Sequence, residues 1–197
     1  MLPGYIVFIG VLIGLITATF YIKSIFRGIT KPNLVSYFIW TLAPFIGTFF
    51  QIRAGAGLSV LPVFMAGFLP FAVFLFSIFY KNSYWKINLF DLICGGFAVL
   101  ALLLYIITQN LSISILFAIL SDSLAYIPTI RKTWNFPETE TSSIYAGGIV
   151  SQILGLLTIK NWTFPIYSFS FSIIFFNLIV IFCIYRKKIF KTKELVH

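Results

Sequence analysis

Charged residues divide this chain into long uncharged blocks. Six blocks contain no Lys, Arg, Asp or Glu: 1–22, 32–52, 54–80, 92–121, 141–159 and 161–185. Each block can form a membrane-spanning helix, which needs about 20 mainly apolar residues. The 92–121 block is interrupted by Thr108, Gln109 and Asn110, and the apolar sequence after it continues to Ile130. We therefore predict seven transmembrane helices, at about 4–25, 34–52, 57–80, 89–108, 111–130, 142–159 and 163–185.

The composition indicates that most of the chain lies in the hydrocarbon core of a membrane. Only 10% of the residues are charged and the mean hydropathy is +1.02, whereas soluble domains contain roughly 25% charged residues. The net charge of +9 does not indicate a nucleic-acid partner, because Lys and Arg lie between apolar blocks and at the C-terminus and form no face of their own. The sequence predicts an all-α integral membrane protein whose partner is the lipid bilayer.

The distribution of basic residues predicts the orientation. With the N-terminus outside and the C-terminus cytoplasmic, the outer side contains only Arg53 and Lys160. The inner side then contains twelve basic residues: Lys23, Arg27, Lys31, Lys81, Lys86, Arg131, Lys132, Arg186, Lys187, Lys188, Lys191 and Lys193. This is the bias that the positive-inside rule describes.

The first and second halves of the chain resemble each other when the sequence is aligned with itself at an offset of 105 residues. The offset places Arg27 on Lys132 and Pro32 on Pro137, and it aligns helices 1–3 with helices 5–7. Helix 4 has no counterpart. Since three crossings end on the opposite side from their start, one linker helix restores a parallel second repeat. We therefore predict a 3+1+3 arrangement: a first repeat at 1–80, a linker at 81–110, a second repeat at 111–185 and a basic cytoplasmic tail at 186–197.

Two parallel three-helix repeats around a linker are an architecture seen in transporters. The segment 126–132, Tyr-Ile-Pro-Thr-Ile-Arg-Lys, is followed by Pro137 and by Thr141-Ser142-Ser143. This pattern resembles the PQ-loop signature of the SWEET and PQ-loop membrane transporters, with Thr129 at the Gln position. The resemblance implies a carrier that moves a small neutral or zwitterionic solute, such as a sugar or an amino acid, by alternating access.

Asp122 is the strongest single candidate for a functional residue. It lies nine residues before Arg131, which places it about 13 Å deep in the membrane. An ionised Asp at that depth costs about 2.5–3.5 kcal/mol, and burial disfavours the charged form of a carboxyl. We therefore expect a protonated Asp122 that contacts the solute and couples its transport to protons. The alternative is a structural carboxyl that only forms hydrogen bonds.

Two further polar residues are predicted at the same depth. Asn177 lies nine residues before Arg186 and Gln152 lies about ten residues into helix 6. With Asp122 they suggest one polar patch that binds solute. The alternative is that they join helices through hydrogen bonds of about a kcal/mol or less.

Aromatic residues and prolines complete the predicted site. Trp40 and Tyr145 match at the offset of 105, as do Tyr21 and Tyr126, so rings from both repeats are expected to enclose a solute. Trp40, Tyr145 and Tyr126 are the predicted contacts, although Trp and Tyr also populate membrane interfaces. Pro128 and Pro44 lie within predicted helices and are candidate hinges, static kinks being the alternative.

No group of residues indicates catalysis, a cofactor or a metal. The only His is the terminal His197, and no nucleophile–base pair, Gly-rich phosphate loop or His/Cys cluster is present. We expect a protein that is not an enzyme and that resides in a bacterial inner membrane, with homo-oligomer formation left open. The alternative function is a seven-helix receptor or assembly protein on the same scaffold, as the KDEL receptors are within this fold group.

Overall fold

The computed structural model describes residues 2–80, 84–107 and 110–194, and in these ranges all regular secondary structure is helical. Seven α-helices follow one another: α1 Val7–Phe26, α2 Leu34–Arg53, α3 Leu61–Phe79, α4 Leu89–Ile107, α5 Leu111–Asn135, α6 Ser143–Leu156 and α7 Phe164–Glu194. Short 3₁₀ turns precede α1, α3 and α6, at Gly4–Ile6, Gly57–Val60 and Pro137–Thr139.

Side-chain caps define where several helices begin. Asn33 accepts a hydrogen bond from the Ser36 amide at the start of α2, and Asn110 accepts from the amides of residues 112 and 113 at the start of α5. At α4, Asn88 and Asp91 each accept from the backbone amide of the other, which forms a capping box. These caps satisfy amides that a helix N-terminus leaves without partners.

The seven predicted helices are confirmed, and the structure changes three of their ends. The helices α5 and α7 continue past their predicted ends, to Asn135 and Glu194, because no Gly or Pro interrupts the polar residues that follow. In contrast, α6 stops at Leu156, three residues early. The predicted turn at 108–111 falls partly on residues 108 and 109, and the basic residue Lys81 also lies outside the described residues.

Among the described residues, five helical segments are long and apolar enough to span a membrane: Gly4–Phe26, Leu34–Arg53, Gly57–Phe79, Leu111–Asn135 and Phe164–Ile189. The apolar segments of α4, at Leu89–Leu100, and of α6 are shorter. The helix α6 has only 14 residues, about 21 Å of rise, against a hydrocarbon core of about 30 Å. Large apolar side chains such as Phe8, Phe20 and Phe175 are exposed, while Asp122, Gln152 and other polar residues are buried. The chain is an integral membrane protein with an apolar exterior and a partly polar interior.

Helices from the two halves of the chain pack against each other. From the first half, α1 packs along α6 and α2 packs along α5 of the second half. Within each half, α3 packs on α1 and α2, and α7 packs on α5 and α6. The remaining helix, α4, packs mainly on α5 and also touches α2.

Small residues allow α1 and α6 to approach closely. A Cβ added at Gly147 would overlap Thr17 Oγ1, and one added at Gly10 would lie 3.1 Å from the Ser151 backbone. On the same stripe of α6, a Cβ at Gly155 would meet the Pro62 ring of α3 at 2.8 Å. The four-residue spacing of small residues therefore serves backbone packing, as is common between membrane helices.

Candidate functional site

A cavity of about 60 Å³ lies between the two halves of the helix bundle. Five helices line it: α2, α3, α5, α6 and α7. Its polar and aromatic lining consists of Tyr37, Trp40, Asp122, Tyr126, Tyr145 and Asn177. The rest of the wall is apolar or backbone, with Met65, Ala66, Leu69 and Pro70 contributed by α3.

Most of the residues predicted for the site meet at this cavity. Its lining includes Asp122, Asn177 and the aromatic residues Trp40, Tyr145 and Tyr126. Pro44 also lines it, whereas Gln152 and Pro128 do not. The proposed polar patch is therefore built from Asp122 and Asn177 without Gln152.

Asp122 enters the cavity with a free carboxylate oxygen. The residue is 1% exposed, and within the described part of the chain Oδ2 has no hydrogen-bond partner. Its backbone carbonyl is 3.4 Å from Trp40 Nε1, which donates to it. No Lys, Arg or His is among the residues that line the cavity. A buried carboxyl without a partner is costly, so this oxygen is available to a proton or to a solute.

Asn177 is held in a fixed orientation by α5 and α6. The Tyr126 hydroxyl donates to Asn177 Oδ1 over 2.9 Å. Nδ2 of the same side chain lies 2.8 Å from the position that a Cβ on Gly148 would take. Gly148 therefore leaves the space that the amide occupies, and Tyr126 fixes which face of Asn177 the cavity meets.

Aromatic rings form a continuous layer from the cavity toward one end of the bundle. The Trp40 ring centroid lies 4.4 Å from that of Tyr126, 5.2 Å from that of Tyr37 and 6.4 Å from that of Tyr145. Beyond them, Tyr21 packs on Tyr37 at 5.9 Å and on Tyr145 at 6.3 Å. These distances are typical of favourable aromatic pairs, so the layer separates the cavity from that end.

A buried ion pair lies behind the aromatic layer. Lys132 at the end of α5 pairs with Glu140, and their side chains are 1% and 0% exposed. The Tyr21 hydroxyl donates to the same carboxylate, and Lys132 Nζ also donates to the Lys31 carbonyl over 2.7 Å. Because each charge has a charged partner and further hydrogen bonds, the pair meets the conditions under which buried charges are tolerated.

The loops around this ion pair join the two halves of the chain. The Lys31 amide donates to the Thr139 carbonyl over 3.0 Å, and the hydroxyls of Thr30 and Thr141 are hydrogen-bonded to each other. Thr30 and Lys31 belong to the α1–α2 loop, and Thr139 and Thr141 to the α5–α6 loop. We call this region the ion-pair end of the bundle.

Two glutamines join the halves at the opposite end, which we call the glutamine end. Gln51 Nε2 on α2 donates to the Ile166 carbonyl on α7 over 3.0 Å. Gln152 Nε2 on α6 donates to the Pro62 carbonyl on α3 over 2.9 Å. The sequence placed Gln152 at the depth of Asp122, but it lies one turn beyond Gly148, about 6 Å closer to the glutamine end. Its amide therefore bonds to α3.

The two predicted hinges have different surroundings. Pro44 lines the cavity and lies within α2. Pro128 is buried in the middle of α5, which continues as one helix to Asn135. Next to it, Ser36 donates to the Ala125 carbonyl over 2.6 Å and accepts from Thr129 over 2.9 Å. Bending at Pro128 would therefore disturb a bonded contact between α2 and α5.

Sequence reasoning missed Glu140, and it used Lys132 as an orientation charge, in the repeat alignment and in the PQ-loop-like segment, but not as a member of an ion pair. One signal was available, because the chain has only five acidic residues and one of them lies eight positions after a basic residue at a predicted helix end. Both residues are buried, although each was in a predicted loop.

Within the described part of the chain, no group of three or more His, Cys, Asp or Glu side chains could hold a metal ion. The polar groups at the cavity are a carboxyl, an amide and phenol hydroxyls, which together can donate and accept hydrogen bonds. Comparison with models of known protein families, with curated proteins and with solved structures finds no match to this chain.

Proposed function

We propose that this chain is a membrane transporter that moves a small neutral or zwitterionic solute, such as a sugar or an amino acid, by alternating access. One observation carries the proposal: a cavity between the two halves is lined by aromatic rings and by the buried, unpartnered Asp122 carboxyl. An unpaired ionisable residue inside a membrane bundle favours a solute or proton pathway.

The packing of the helices supports two equivalent three-helix repeats, with α4 as a linker. At an offset of 105 residues, the α1–α6 contact corresponds to the α5–α2 contact. The bonds at the glutamine end follow the same relation, since α2 bonds to α7 and α6 bonds to α3. The repeats would move relative to each other around the cavity, as in other transporters built from repeats.

The proposed orientation places the ion-pair end in the cytoplasm. The positive-inside bias supports an outer N-terminus and a cytoplasmic C-terminus, and the short loops favour a bacterial inner membrane. The partial PQ-loop pattern at 126–143 and the helix pairing both agree with a SWEET-like carrier. No feature of the cavity favours an enzyme.

Alternating access then assigns a role to each end. The ion pair, the Tyr21 hydroxyl and the loop bonds close the cytoplasmic side, and the two glutamine bonds close the outer side. Opening either side breaks bonds between repeats while the other side stays closed. Asp122 takes up a proton when the cavity has no cationic partner for it, which couples solute movement to a pH gradient.

The experiment that tests this proposal is counterflow in proteoliposomes with labelled sugars and amino acids, with and without a pH gradient. Wild type is compared with Asp122→Asn, and correct folding of both is checked by size-exclusion chromatography and thermal unfolding. We expect uptake of at least one solute by wild type, and Asp122→Asn should abolish that uptake or its response to the gradient. If folded, correctly inserted protein takes up none of the labelled solutes, the transporter proposal is rejected.

The second candidate is a receptor or assembly protein on the same scaffold. The size of the cavity favours it, because about 60 Å³ is well below the roughly 300–1,000 Å³ of ordinary ligand pockets. A carrier must therefore enlarge this cavity, whereas a receptor need not. A cysteine introduced at Ala66 distinguishes the two: labelling by a water-soluble maleimide that changes with solute or pH favours the carrier, and uniform protection favours the receptor.

A further inference from the structure

We propose that the central cavity selects solutes that carry an ammonium group, which pairs with the Asp122 carboxylate and lies against the rings of Trp40, Tyr126 and Tyr145. This inference rests on the proposed transport function and changes its substrate class, which then includes cationic amines as well as zwitterions. It favours amines and amino acids over neutral sugars.

The charges around the cavity support a cationic ligand. Asp122 is the acidic residue that lines the cavity, and the lining contains no Lys, Arg or His. The nearby cation Lys132 is already paired with Glu140. An ionised Asp122 therefore has no counter-charge within the described protein around the cavity, and an ammonium group would supply one.

The rings provide a second, independent recognition element. The Trp40 ring lies next to Tyr126, Tyr37 and Tyr145, and all four line the cavity. Ring faces attract cations, Trp most strongly, and aromatic cages are a common means of binding ammonium groups. A sugar would also stack on these rings, but it would leave the Asp122 carboxylate without a counter-charge.

The size of the cavity limits the group that it accepts in this conformation. Its volume of about 60 Å³ is several times the roughly 10–15 Å³ that one water requires. A group of a few heavy atoms, such as a primary or methylated ammonium, suits this volume better than a hexose ring.

Proton and solute would then alternate on the same oxygen. With no solute bound, the Asp122 carboxyl holds a proton. When an ammonium group enters, that proton leaves to water on the side of entry, and the carboxylate pairs with the ammonium group. The titratable groups that face Asp122 across the lining are the phenols of Tyr126 on α5, Tyr37 on α2 and Tyr145 on α6, whereas α3 and α7 contribute none. The exchange makes the carrier a proton–amine antiporter.

A test of occupancy uses dicyclohexylcarbodiimide, which modifies protonated carboxyls inside membranes, with adducts on Asp122 quantified by mass spectrometry. Two matched pairs serve as probes: ethanolamine with ethylene glycol, and glycinamide with glycolamide. Each pair differs mainly in the ammonium group. We expect each amine to protect Asp122 at a concentration roughly tenfold lower than its neutral partner. Equal protection, or better protection by the neutral member, would overturn the inference.

Binding to purified variants provides a readout that does not require transport. Ligand-induced shifts in the unfolding temperature are measured for wild type, Asp122→Asn, Trp40→Phe and Trp40→Leu. The amine-dependent shift should disappear in Asp122→Asn, fall in Trp40→Leu and be partly retained in Trp40→Phe. Retention of the full shift in both Asp122→Asn and Trp40→Leu would place the amine elsewhere and reject the site.

Counterflow with the same four probes separates this inference from the transporter proposal. Transport of ethanolamine or glycinamide but not of the neutral analogues supports both. If sugars or ethylene glycol are transported and the amines are not, the transporter proposal stands and the ammonium site is rejected. If amines protect Asp122 from the carbodiimide but no probe is transported, the ammonium site stands and the carrier is rejected.

Discussion

Lys132 and Glu140 form a buried ion pair, although they lie eight residues apart on either side of the turn that follows α5. The Tyr21 hydroxyl on α1 donates a hydrogen bond to the Glu140 carboxylate. The side chains of Lys132 and Glu140 are 1% and 0% exposed. One charged contact therefore connects the end of α5, the α5–α6 loop and the last two turns of α1.

Removing one member of this pair should destabilise the protein strongly. We expect Lys132→Met or Glu140→Gln to cost roughly 3–5 kcal/mol, because each leaves a buried charge without its partner. The double variant Lys132→Met/Glu140→Gln should lose less than the sum of the single losses. Thermal and denaturant unfolding in detergent measure the cycle, with the exposed Lys160→Ala as control. Strictly additive losses would show that the two charges do not interact.

Gly148 should be required for the cavity more than for folding. A Cβ at this position would lie 2.8 Å from Asn177 Nδ2, so Gly148→Ala should displace the amide and weaken the Tyr126–Asn177 bond. We expect solute uptake to fall about tenfold or more, with roughly 1 kcal/mol or less lost in stability. The control is Gly96→Ala on α4, where an added Cβ meets nothing within 4 Å. Similar uptake by both variants would contradict this role for Gly148.

Gly147 should be required for the contact between α1 and α6. A Cβ there would overlap Thr17 Oγ1, and overpacking of this kind costs about 1–3 kcal/mol. The compensating variant Gly147→Ala/Thr17→Ala should recover part of the loss, because it removes the atom that the new methyl meets. Unfolding temperatures of the two single variants and of the double variant check this. Equal destabilisation of the double variant and Gly147→Ala would locate the strain elsewhere.

The two glutamines should control opening of the glutamine end rather than stability. Each bond between membrane helices contributes about 0.6 kcal/mol on average, so Gln51→Leu and Gln152→Leu should unfold close to wild type. Under the proposed mechanism, both should increase maleimide labelling of a cysteine placed at Ala66, applied from the outer side. The control is Ser168→Ala on α7, near this end. Unchanged labelling in both glutamine variants would remove these bonds from the gating mechanism.

The helices could be predicted from the sequence because the spacing of charges reflects the thickness of the bilayer. Cavity residues were harder to identify, since depth along a helix does not determine which neighbour a side chain meets. Asn177 and Gln152 were assigned the same depth, yet one lines the cavity and the other bonds to α3. For the ion pair of Lys132 with Glu140, the scarcity of acidic residues was the available signal, but the burial of the pair depends on how a loop folds back on the bundle.

The close contact between α1 and α6 also has a consequence for biosynthesis. Gly10 and Gly147 are 137 positions apart, from 147 − 10, and translation adds about 5–20 residues per second. The first helix therefore waits roughly 7–27 seconds before the α6 surface that covers Gly10 has been made. During that interval α1 is held by lipid or by the insertion machinery, so a nascent chain truncated before α6 would present an uncovered helix face to membrane quality control.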